Sequence, residues 1–136
     1  MDFLKTISVA ASGLRAQSGR MRVIAENLAN ADSTAKTPGG DPYRRKVPTF
    51  NNTFNRELDA HVVELGRIRT DQSEFRTRFD PSHPAADAKG EVKLPNVSSL
   101  VEQMDMREAQ RRYEANLNLV SATRRMISRT IEILRA

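Results

Sequence analysis

At 136 residues and 15.3 kDa the chain has room for one compact domain or an elongated hairpin with a small insert, which excludes a large multidomain enzyme. Hydrophobic residues make up 38% and aromatics 5%, with no Trp, so any core is mostly aliphatic; the absence of Cys rules out disulfides, thiolate metal sites and thiol nucleophiles. The net charge of +5 is spread thinly, as 4 basic against 2 acidic residues over 1–31, 11 against 10 over 32–96, and 7 against 5 over 97–136, so no segment is a strongly basic tail.

The first segment, 1–31, carries no proline. Steps of four and three from Phe3 give Ile7, Ala10, Leu14, Gln17, Met21, Ile24, Leu28 and Ala31, a heptad seam that predicts a helix of about 45 Å wound around a partner. Val9, Ala16 and Val23 recur on a second stripe, well round the cylinder from that seam. Small residues such as Ala11, Ser12, Gly13 and Gly19 allow close backbone approach, although each glycine costs about 1 kcal/mol of helix propensity. Asp2 offsets Lys5, the apolar run is short and Arg15 follows, so a cleaved secretory signal is not expected. No uninterrupted apolar run approaches the roughly 20 residues that span a bilayer.

The middle, 32–96, holds all six prolines, four of six glycines and five of seven aromatics. Residues 31–42 read as a long loop. Extended segments are expected within 43–50, 61–70, 74–80 and 91–94, giving a small β-rich insert with Val63, Leu65, Ile68, Phe75 and Phe79 as its core. At this size such an insert is marginal alone. The basic run Tyr43-Arg44-Arg45-Lys46 reads either as phosphate-binding or as an exposed strand edge or protein contact, and no stacking aromatic array accompanies it. Gly39-Gly40 lacks the following Lys-Ser/Thr of a phosphate loop and reads as a turn. His61 and His83 are the only histidines, too few for a multi-His metal site.

The last segment, 97–136, is again free of proline. A helix over 98–135, about 55 Å long, is expected to start after Pro95 with Asn96 or Ser99 as its cap; Ser99 and Glu102 have capping-box spacing. Its seam is Tyr113, Leu117, Val120, Arg124, Ile127, Ile131 and Leu134. Glu102, Asp105 and Glu108, interleaved with Arg107, Arg111 and Arg112, read as a solvated helix face. Leu119, Met126 and Ile133 repeat the second stripe of the first helix. Asn27, Asn30, Asn116 and Asn118 read equally as interhelical hydrogen-bonding groups or as caps and solvated residues.

These elements give a mainly α chain in which the N- and C-terminal helices form an antiparallel coiled-coil hairpin around a small β-rich domain. The hairpin seam is read as Leu14, Met21, Ile24, Leu28, Leu117, Val120, Ile127, Ile131 and Leu134. A two-helix hairpin buries one stripe per helix, so Val9, Val23, Leu119, Met126 and Ile133 are left for neighbouring subunits. No catalytic, cofactor or metal residues are assigned, since no nucleophile, metal set or cofactor loop is visible. The alternative from another class is a cytoplasmic basic hairpin that binds nucleic acid through Arg44, Arg45, Lys46 and the C-terminal arginines.

Residues 11–17 (Ala-Ser-Gly-Leu-Arg-Ala-Gln) and 20–31 (Arg-Met-Arg-Val-Ile-Ala-Glu-Asn-Leu-Ala-Asn-Ala) closely resemble the N-terminal signature of the bacterial flagellar rod, hook and hook-associated axial proteins. Residues 39–46, 80–87 and 90–97 resemble the proximal-rod branch of that family, and 104–116 its closing helix. Ser82, Glu91, Leu94 and Ser98 depart from the usual pattern in turn and packing positions. The resemblance implies terminal helices packed along the inside of a tubular rod with the β-rich part outside, and export through the flagellar type III apparatus without cleavage. It further implies a place in the periplasmic rod, with partners that are other rod subunits, further copies of the chain and the membrane-ring and export-gate junction proteins. No nucleic acid, small-molecule substrate or cofactor is implied.

Overall fold

The computed structural model describes residues 2–135. Helix α1 spans Phe3–Ala29 and helix α2 spans Ser99–Arg135, and six short strands lie between them: β1 Lys46–Val47, β2 Phe50–Asn55, β3 Ala60–Leu65, β4 Arg69–Thr70, β5 Arg76–Phe79 and β6 Glu91–Leu94. The strands pair antiparallel in three separate two-stranded ladders, β1 with β4, β2 with β3 and β5 with β6. The architecture is thus two terminal helices with a small sheet-containing middle region, and the prolines of the middle keep helix out of it.

The chain divides into two compact units, each built from a stretch of both helices and part of the middle. The first unit takes the chain up to Met21, Thr49–Arg67, and the chain from Arg107 onward. Its hairpin β2–β3 turns at Asp59, whose φ of 47° lies in the left-handed region that Asp tolerates better than most side chains. The small residues of α1 let this hairpin approach. Ser12 Oγ accepts the Val63 amide at 3.2 Å, and a Cβ built on Gly19 would stand 2.7 Å from a Leu65 methyl. Gly19→Val is therefore expected to destabilise the chain by about 1–3 kcal/mol through overpacking, measured as a drop in urea midpoint. Across the helices of this unit, Gly13 lies against the Asn116 side chain and Arg20 pairs with Glu108 at 3.4 Å.

The second unit takes Arg22–Pro48 and Ile68–Met106. Its apolar core is made of small side chains, Val23, Ile24, Ala31, Ala85, Val92 and Val97. The insert core expected from sequence is corrected on this point. Phe79 is 72% exposed, Val63 and Ile68 are exposed, and Leu65 and Phe75 are half-buried. A two-stranded ladder has no second sheet to close over its large side chains, so aliphatic residues packed on helix carry the burial instead.

Two boundaries also differ. Strand β2 continues past Phe50 through Asn51-Asn52-Thr53-Phe54-Asn55, where two asparagines disfavour strand by propensity and the pairing with β3 overrides them. Helix α2 begins at Ser99, so Ser98 holds the cap position, and its carbonyl accepts the Glu102 amide at 3.0 Å. Asn96, the other expected cap, instead accepts the Arg45 amide at 2.8 Å and donates to Asp71 and Ser73.

Candidate functional site

Two features stand out, a polar node inside the second unit and an apolar surface along α2 in the first. The node is centred on Asn27, which is fully buried on α1. Its amide nitrogen donates to the Lys46 carbonyl at 2.8 Å and to Glu102 Oε2 at 3.1 Å; its oxygen accepts the Tyr43 hydroxyl at 2.8 Å and the Lys46 amide at 2.9 Å. Both donors and both acceptor positions are in use, which removes the cost of burying the amide. One side chain thereby joins α1, β1 and α2.

Glu102 is 1% exposed, and its second oxygen takes the Arg45 guanidinium at 2.5 Å. This corrects the reading of Glu102 as part of a solvated acidic face or as a capping-box partner: its carboxylate is spent on Asn27 and Arg45. Arg45 also lies 3.7 Å from Asp71 and 3.6 Å from Asp105. Burial pulls the Arg45 guanidinium down, and the hydrogen bond and charge of Glu102, with Asp105 and Asp71, outweigh it, so its pKa is raised. Hydrogen bonds from Ser73, with Arg45 beside it, hold Asp71 below the usual carboxylate range.

Burial, together with the charges of Glu26 and Glu102, pushes the Tyr43 phenol up from 10.0 to about 12. The neutral hydroxyl is the form that donates to Asn27, so the stability it supplies is complete below pH 10 and lost as pH rises towards 12. An absorbance titration of the folded chain is expected to show one of its two tyrosines ionising near pH 12, and Tyr43→Phe to remove that step.

The basic run is consumed locally. Arg45 is held as above, Lys46 pairs with Glu26, and Arg44 lies 4.1 Å above the Phe75 ring and donates to the Ser73 carbonyl. Phosphate binding would require breaking these contacts. Among the described residues no group of three or more His, Asp or Glu could hold a metal ion, and no helix is long and apolar enough to cross a membrane.

Of the expected seam, Ile24 is buried, while Leu14, Met21, Leu28, Val120 and Ile127 are half-buried. Leu117, Ile131 and Leu134 are exposed. On the second stripe, Val23 is buried in the core of the second unit and Val9 is half-buried, whereas Leu119, Met126 and Ile133 are exposed. At the end of α2, Ile133 is 76% and Leu134 80% exposed. The node itself went unread in the sequence, where Asn27 stood as one of the four asparagines of the terminal segments and the Arg45 and Glu102 beside it stood on separate segments.

Residues 7–35 match the family described as flagella basal body rod protein, and residues 88–133 match the C-terminal family of the FlgEFG flagellar basal body rod proteins. Among curated proteins, the flagellar basal-body rod protein FlgC of Agrobacterium fabrum is 46% identical over 137 residues, covering all of this chain and 99% of the relative. FlgC of Aquifex aeolicus is 39% identical, covering 97% of each, and FlgC of Bacillus subtilis is 36% identical, covering 98% of this chain and 99% of the relative. The matched segments take in most of α1 and most of α2, the helices that carry Asn27 and Glu102 of the node and the uncovered apolar face. The chain belongs to the FlgC family of flagellar basal-body rod proteins and is a structural subunit of the rod.

Proposed function

We propose that the chain is a subunit of the proximal rod, that its terminal helices pair as an antiparallel coiled coil, and that it transmits motor torque by packing this pair against neighbouring subunits. The observation that carries the proposal is the uncovered apolar surface of α2, where Leu117, Leu119, Met126, Ile131, Ile133 and Leu134 are all exposed. Burying each such side chain is worth about 1.5–3 kcal/mol, a driving force that a neighbour in a polymer can supply.

The antiparallel pairing is supported by the contacts of Gly13 with Asn116 and of Arg20 with Glu108, in which the α2 partner falls as the α1 residue rises. Extrapolated at equal rise per residue, Phe3 stands opposite roughly residue 126, which leaves Ile127 to Arg135 with nothing of α1 across from them. That overhang accounts for the exposure of Ile131 and Leu134 although both belong to the seam. Between subunits the contact falls to Leu119, Met126 and Ile133, with Val9 beside it; Val23 stays in its own chain's core.

On this reading the subunit catalyses no reaction and takes no cofactor, small molecule or nucleic acid. It passes through the flagellar type III export apparatus without cleavage and sits in the periplasmic rod, in contact with other rod subunits, copies of itself and the membrane-ring and export-gate junction proteins. The test is fractionation of cells expressing a tagged chain. Co-purification with detergent-extracted basal bodies is expected, and recovery only in the cytosol would refute the proposal.

A further inference from the structure

The closing stretch of α2 carries Arg124, Arg125, Arg129 and Arg135 against a single acid, Glu132, and all five are exposed. Among the described residues none of these arginines is held in an ion pair, unlike Arg45 and Lys46 of the basic run. Met126, Ile131, Ile133 and Leu134 are exposed on the same stretch, and Leu119 extends the apolar surface back along the helix. We infer that this face docks on a membrane surface rich in anionic lipid, lying in the headgroup plane with its apolar side turned to the hydrocarbon.

At about 100° per residue, the apolar side chains fill an arc of about 160°, running from Ile133 through Met126, Leu119 and Leu134 to Ile131. Arginines mark both borders. Arg129 stands about 40° outside Ile133, and Arg124 and Arg135 stand about 20° and 40° outside Ile131. Glu132 and Arg125 fall on the opposite, polar side. Thr123 and Thr130 are the polar residues inside the arc, and each spends its hydroxyl on its own helix, donating to the Leu119 and Met126 carbonyls at 2.9 Å. Neither therefore carries an unsatisfied donor into apolar surroundings. An arc this wide exceeds the two-position seam that one partner helix covers, and a bilayer interface accepts it whole. The arginine stems lie along the apolar layer while their guanidinium groups reach the lipid phosphates. The helix is not apolar enough to cross a membrane, so the contact is lateral and reversible. No aromatic side chain anchors the face, so binding depends on its excess of positive charge meeting anionic headgroups. The inference stands apart from the rod reading. Lipid and a neighbouring subunit compete for one surface, so the membrane holds the chain only before it assembles.

The absence of native Trp makes the test direct. The full chain carrying Leu134→Trp is mixed with vesicles of equal parts phosphatidylglycerol and phosphatidylcholine, and separately with vesicles of phosphatidylcholine alone. Its emission is expected to shift to the blue on the anionic vesicles only, whereas Asn118→Trp, about 160° round the helix, shifts on neither. In co-sedimentation, Arg124→Gln with Arg129→Gln is expected to weaken binding to the anionic vesicles about tenfold. Arg107→Gln with Arg111→Gln removes the same charge from exposed positions nearer the start of the helix, and is expected to leave binding within about twofold. Equal weakening by the two pairs overturns the inference, because net charge alone then explains the attraction. Equal binding to neutral vesicles, or no binding to either, also overturns it. Sedimentation of the chain to the same extent without vesicles assigns the face to a second copy, and binding of duplex DNA with no response to vesicles assigns the arginines to nucleic acid; each overturns the lipid contact. Co-purification with basal bodies is untouched by all of these outcomes and tests the rod reading separately.

Discussion

Replacing Glu102 by Ala is expected to destabilise the second unit by about 3 kcal/mol, the low end for breaking a buried ion pair. The carboxylate is almost completely buried, while the Arg45 side chain keeps 23% of its exposure, so water relieves part of the cost of stranding the guanidinium. What water does not relieve is the Asn27 amide, which loses one of its two acceptors inside the core. Since a small domain has only about 5–15 kcal/mol in total, the loss is a large fraction of it. Urea unfolding followed by circular dichroism reads this directly. The double substitution Arg45→Met with Glu102→Leu is expected to cost less than Glu102→Ala alone, because it removes both charges instead of orphaning one. Equal losses in the two proteins would mean that the ion pair is not what stabilises the node.

The second large effect lies on the other side of the folding problem, in assembly. Ile133→Asp changes a side chain that is 76% exposed, so the urea midpoint of the isolated chain is expected to stay within about 0.5 kcal/mol of the parent. On the proposed assembly the same position is packed, and an unpaired carboxylate there would cost several kcal/mol at each copy. Export is therefore expected to remain intact while motility is lost, scored by swimming in soft agar with the exported chain measured in parallel. Normal swimming by this variant would remove the case for the second stripe as an assembly surface.

Acid adds a smaller signature. The charges of Arg112 and Arg20 hold Glu108 below its ordinary 4.5, and hydrogen bonds from Ser73 do the same for Asp71 from 3.8. With folded-state values depressed, the stabilisation is present above these ordinary values and is lost as pH falls through the lower ones. Glu108 lies on the surface, so the loss at that site is slight.

The helices were legible because their signal is periodic. The heptad spacing of Phe3 to Leu28 and of Tyr113 to Leu134 needs no knowledge of partners, and α1 and α2 fall where it places them, ending within about two residues. The middle was legible only as non-helical. Its strands are two to six residues long and pair in twos, so alternation over such short runs says little about which face is covered. Phe79 reads as core from its chemistry and is exposed because no second sheet covers it. The node was hidden for a different reason. Arg45 and Glu102 are 57 residues apart, and a charge in a sequence looks solvated until its partner is known. The same asymmetry misled the reading of the basic run, whose charges are answered within the second unit. The exposed stripe of α2 was legible, since Leu119, Met126 and Ile133 share a helix face whatever surrounds them.

The central claim is that the terminal helices carry more apolar surface than one chain covers, so that only a polymer completes them. Hydrogen exchange along the end of α2 tests it most directly, comparing the dilute isolated chain with the chain in purified basal bodies. The account predicts that the amides of Ile127 to Arg135 exchange close to the unfolded rate in the isolated chain and become strongly protected in the assembled rod. Strong protection of those amides in the dilute single chain would contradict it.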